Sequence, residues 1–155
     1  MFGPGNVENK NANITSNLLL VDFTQPHLCE RTVPVSCSIC RSIITLSGRQ
    51  SWSQLLVAIT EMFITKNNPN LGSLYHHSLN SRSAHPFFMD NKLERHNCAR
   101  LSNGKWIDLN YSIPRLIDII GKLCVFCGVG LEDVQIYYMK KGITELQDVA
   151  ASAQQ

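Results

Sequence analysis

The sequence predicts an α+β fold. The expected form is a single domain whose antiparallel sheet, built from hairpins, carries two main helices. Three observations lead there. Two stretches, opening at Ser51 and Ser112, repeat apolar residues at helical spacing. Asn103-Gly104 is a hairpin signal followed by an alternating strand. The order of pieces along the chain is hairpin, helix, irregular segment, hairpin, helix, strand, which suits helices laid over an antiparallel sheet.

Residues 1–16, MFGPGNVENKNANITS, are polar, with two glycines and a proline, and are expected to form a disordered arm. The domain is expected over 17–141. It begins with three β-like pieces, LLLVDF, RTVPVSCSI and RSIITL. Pro26 and Pro34 interrupt them, which predicts short or edge strands.

The first helix is expected from Ser51, because Ser51-x-x-Gln54 is a capping-box pattern. Trp52, Leu55, Leu56, Ile59, Met62 and Phe63 form its apolar stripe. Trp52 is expected to be a buried anchor. The helix should stop by Asn67–Asn70, where Pro69 prevents continuation. The segment 70–97 reads as irregular, with a short helix in LGSLYHHSL and a loop or extended piece in RSAHPFFMD.

Asn103-Gly104 predicts a type I′ turn, since both residues tolerate positive φ. The strand that follows puts Ile107 and Leu109 on one face and Trp106, Asp108 and Asn110 on the other. The aliphatic pair is the better core candidate. The second helix starts after Ser112, with Pro114 in its first turn and Gly128 just past its end. VQIYYM then alternates as a strand, and residues 142–155 form a weakly helical tail.

The 155 residues are 44% hydrophobic and 17% charged, enough for a sizeable core. No apolar run approaches the length of a membrane span, and no signal-peptide pattern is present, so a cytoplasmic protein is expected with no membrane partner. Six cysteines in that compartment are expected as free thiols. Cys124 and Cys127 continue the stripe of Ile113, Leu116, Ile117, Ile120 and Leu123, which points to buried thiols. The alternative is a zinc site built from Cys37, Cys40, Cys124 and Cys127, since two Cys-x-x-Cys pairs exist.

The net charge of +2 is unevenly spread. Between Lys66 and Lys105 there are six Lys/Arg against two acids, and four of the five histidines also fall there. Arg82, His85, Arg95, His96 and Arg100, with Trp106 among them, are the candidate binding residues. Cationic groups suit phosphates and aromatics suit bases. Phe87 and Phe88 share the segment, as stacking groups or as core plugs. No P-loop, dinucleotide fingerprint, Gly-x-Ser-x-Gly or His-Glu-x-x-His occurs. No catalytic residues and no cofactor are therefore assigned.

SWSQLL (Ser51–Leu56), NGKWIDLNYS (Asn103–Ser112), FCGV (Phe126–Val129) and LEDVQIYYM (Leu131–Met139) carry a resemblance. The segment from Ile43 to Met139 resembles a module at the C-terminal ends of many uncharacterised bacterial proteins, some associated with restriction or defence. The resemblance implies a non-enzymatic accessory module of bacterial or phage origin. It also implies an ordinary apolar residue where this chain has Cys124, and it supplies no catalytic residues.

The leading expectation is a binding module that contacts nucleic acid or a partner in a defence-related assembly. The alternatives are a module for protein interaction or homo-oligomerisation and a small hydrolase-type enzyme whose acid/base groups meet only in the fold.

Overall fold

A computed structural model of the protein describes residues 17–46, 50–75, 77–79 and 86–141. The arm at 1–16 and the tail at 142–155 lie outside them. The fold is α+β, with two helices packed on antiparallel sheets. The strands are β1 (Leu19–Leu20), β2 (Thr32–Ile39), β3 (Ser42–Ile44), β4 (Cys98–Arg100), β5 (Trp106–Asp108) and β6 (Val134–Lys140). The helices are α1 (Trp52–Thr65) and α2 (Ile113–Phe126). The larger sheet has the order β1-β6-β2-β3, and β4-β5 form a separate ribbon.

β2 departs from expectation in its length. It is eight residues long and lies between β6 and β3, although it contains Pro34. The ladder with β6 pairs Pro34 with Tyr138 and Ser36 with Tyr137, so Val35 is the extra residue of a bulge. β3 pairs only with Cys37–Ile39, so at Pro34 β2 is paired on its β6 side alone, and there the edge expectation holds. Beyond it Cys37 and Ile39 are buried, while Ser36 faces water.

α1 opens as expected at its N-terminus. The Ser51 hydroxyl accepts a hydrogen bond from the Gln54 N–H at 3.1 Å. Trp52, Leu55, Leu56, Ile59 and Phe63 are buried. The helix ends with Asn67 in the left-handed region at φ 53°. The Asn67 N–H donates to Ile64 O and the Asn68 N–H to Phe63 O, the paired bonds of a Schellman ending.

α2 begins after Ser112, whose side chain makes no capping bond. It ends in the same motif as α1, with Gly128 at φ 87°. The Asn68 side chain donates to Cys127 O at 2.9 Å and so ties the two helix ends together. Leu116, Ile117, Ile120, Leu123 and Cys124 join the α1 stripe and the inner sheet residues in one core.

The β4–β5 hairpin forms, but not around a type I′ turn. Gly104 alone takes a positive φ, 85°. The Gly104 N–H donates to Leu101 O and the Leu101 N–H to Lys105 O. This is a three-residue loop, a type I turn followed by a left-handed glycine. Asn103 contributes through its side chain, which accepts from the Lys105 N–H at 3.0 Å. The turn with two left-handed residues lies instead between β2 and β3, at Cys40 (φ 49°) and Arg41 (φ 69°).

Candidate binding surface

The ribbon of β4 and β5 carries two of the described sequence candidates, Arg100 and Trp106, while Arg95 and His96 lie just ahead of β4. Its register pairs Cys98 with Asp108, Ala99 with Ile107 and Arg100 with Trp106. Directly opposite residues share a face. Ile107 is fully buried and Leu109 nearly so, which makes the aliphatic side the core side, as expected. Arg100 and Trp106 therefore stand side by side on the other face, Arg100 exposed and Trp106 half-buried.

The backbone of Trp106 is held on its second edge as well. Its N–H donates to Met89 O at 2.8 Å, and the Met89 N–H donates back at 2.9 Å. The irregular segment thus adds a single-residue bridge at Met89, which fixes the backbone that carries the indole.

Asp108 shares the face of Trp106 yet is buried. It borders a small gap with Ser78, Pro86, Phe87 and Tyr111. One carboxylate oxygen lies 3.2 Å from His96 Nδ1, and the other accepts from the Asn110 N–H at 2.9 Å. Alternation alone assigned Asp108 to the solvent side. Its burial comes from a segment some twenty residues upstream, which alternation along one strand does not report.

Lys105 is engaged elsewhere. Its ammonium is 2.8 Å from Asp90, donates to the Tyr75 hydroxyl at 3.2 Å and lies 4.3 Å from the centre of the Tyr75 ring. The Tyr75 hydroxyl also hydrogen-bonds Asp90. The Lys105 hydrogen bond, then that of Tyr75, holds the Asp90 carboxyl below the usual carboxylate range. The same bond to Asp90 raises Lys105. This cluster pins the turn at Leu71–Tyr75 to the hairpin and was not legible in the sequence.

Arg95 is exposed, with φ 62°, just ahead of β4, and Lys92 is exposed near it. Arg82 and His85 lie outside the described residues, as does His76. Phe87 and Phe88 are buried and pack edge to face at 5.1 Å. They plug the core and offer no stacking surface.

The cysteines of the alternative zinc set are differently placed. Cys37, Cys124 and Cys127 are buried, whereas Cys40 sits exposed on the β2–β3 turn. Among the described residues no three His, Cys, Asp or Glu side chains are grouped so as to hold a metal ion. Burial pushes the Cys37 and Cys124 thiols up to about 12 and Cys127 to about 11. The neighbouring Cys37, Cys127 and Cys40 raise Cys124 further. Such thiols are neutral and inert at ordinary pH.

A cleft of about 500 Å³ lies over α2, walled by Phe23, Leu79, Val125, Phe126 and Leu131. Gly121 lets Phe23 approach the helix, since a Cβ there would be 2.9 Å from the ring. Besides Ser78, the polar side chains on its rim are Asp118 and Lys122, which pair with each other at 2.8 Å. Among the described residues no helix is long and apolar enough to cross a membrane.

No protein-family model matches the chain, and no curated protein or solved structure matches it.

Proposed function

We propose that the protein is a non-enzymatic module that binds nucleic acid through the outer face of the β4–β5 ribbon. The observation that carries this reading is the cross-strand pair of exposed Arg100 and half-buried Trp106. A half-buried indole beside an exposed guanidinium can stack a base and contact the adjoining phosphate. Arg95 and Lys92 are further exposed cations in the segment that leads into β4, while Lys105 is neutralised by Asp90. The setting we propose, from the resemblance of Ile43–Met139 to its bacterial module, is a restriction- or defence-related assembly of bacteria or their phages.

A short fluorescein-labelled single strand, as DNA and as RNA, tests the reading by anisotropy. Trp106→Leu should weaken binding by about 1–3 kcal/mol, the usual worth of one stacked base. Arg100→Gln should weaken it at low salt and flatten its salt dependence. Parent protein that binds neither strand, or variants that bind like the parent, would contradict the reading.

A further inference from the structure

A second surface lies at the other end of the fold, where β3 is the outer strand of the larger sheet. Ile39 and Ser42 close the two-residue turn as a hydrogen-bonded pair. Bonding alternates along an antiparallel pair, so the N–H and C=O of Ile43 point away from β2, off the edge of the sheet. The Ile43 side chain is 81% exposed, and Ile44, on the opposite face, is buried.

α1 flanks this edge, and residues of both line one groove. Val57, Ala58 and Met62 are only half-covered. With Ile44 and Leu46, and with Gln54 and Glu61 as polar members, they line a groove of about 350 Å³, the Glu61 carboxylate being held by the N–H and hydroxyl of Ser102. At the Ser42 end stand two cations. Arg41 is exposed, and Lys66 donates to the Ser42 hydroxyl at 3.1 Å. Neither makes an ion pair among the described residues.

We propose that this groove takes the C-terminal segment of a partner protein as an added strand, antiparallel to β3, with its terminal carboxylate beside Arg41 and Lys66. Strand addition gives an extended peptide main-chain bonds to Ile43, and alternate side chains enter the groove against α1. The antiparallel direction follows from the charges, because it brings the carboxyl end of the peptide to the Ser42 end of β3. An anion there completes two cations that the fold leaves without a carboxylate.

The probe is a fluorescein-labelled hexapeptide of alternating valine and threonine with a free C-terminal carboxylate, compared with its C-terminal amide. The acid should bind the full chain saturably, and the amide about tenfold more weakly, as for loss of one charge-assisted contact. Ile43→Pro removes the outward N–H without touching a bond to β2 and should abolish binding. Ala58→Arg puts a long side chain across the groove from an exposed helix position and should do the same, so the test survives if the proline variant fails to fold. No saturable binding at millimolar peptide would overturn the proposal, and so would equal binding of acid and amide. A concentration-dependent dimer in sedimentation that Ala58→Arg dissolves would also overturn it, since the occupant would then be a second copy of the chain.

Discussion

The indole N–H of Trp52 points at Thr32, 3.1 Å from its hydroxyl and 3.2 Å from its carbonyl oxygen. This contact locks the first turn of α1 onto the start of β2. The Thr32 hydroxyl in turn donates to Cys29 O, so three segments meet under one buried ring. Tyr138 of β6 packs on the same ring at 6.1 Å. Trp52→Ala should cost about 3–5 kcal/mol, as for large core truncations. Trp52→Phe keeps most of the volume but removes the N–H that the Thr32 oxygens accept, and should cost less. A urea titration reads both, and a loss within error for the alanine variant would show that the ring is not an anchor.

The two helix ends give a second prediction. Gly128 has a left-handed φ, but an added Cβ would meet only an ordinary contact, with the Asn70 side chain at 3.9 Å. Gly128→Ala should therefore cost about 1–2 kcal/mol, from backbone strain alone. Asn68→Ala removes the bond to Cys127 O and should cost about 1 kcal/mol. The double variant measured beside the singles reports whether the two helix ends act together.

The buried thiols fix an alkaline limit. Cys37, Cys124 and Cys127 titrate at about 11 to 12 in the folded chain, against 9.0 for an ordinary thiol. Their protonated form is the one the fold accepts. The stabilisation they give is thus full below pH 9 and is lost as pH rises from 9 toward 12. Urea midpoints should fall between pH 8 and pH 10.5, and the fall should be shallower in Cys124→Ala. A thiol reagent at pH 8 should modify exposed Cys40 and half-exposed Cys98 quickly and the buried thiols only on unfolding. Rapid labelling of Cys124 in the native state would contradict its place in the core.

What was legible in the sequence is what local chemistry decides. The stripe of Trp52, Leu55, Leu56, Ile59 and Phe63, the cap at Ser51 and the glycine at 128 all act within a turn or two. The buried side of Ile107 and Leu109 followed from alternation. What was not legible depends on partners distant in the chain. Pro34 fits in β2 because β3, which pairs only with Cys37–Ile39, stops short of it, so among the described residues its missing N–H faces no ladder. Asp108 is buried because Pro86, Phe87 and Tyr111 close over it. The charge of Lys105 is spent because Asp90 and Tyr75 reach it, so summing charge along the segment overstated the free cations. In the candidate site the sequence identified Arg100 and Trp106 separately. Only the strand register makes them neighbours.

The most direct test of the nucleic-acid reading is the slope of log affinity against log salt for a labelled single strand. It is measured for the parent and for an Arg95→Ala/Arg100→Ala double variant. Each phosphate contact contributes a slope of about −0.7 on a single strand, so the double variant should lose up to about 1.4 of slope and bind more weakly at low salt. Identical slopes in the two proteins, or a parent whose binding does not respond to salt, would contradict a nucleic-acid surface on β4–β5.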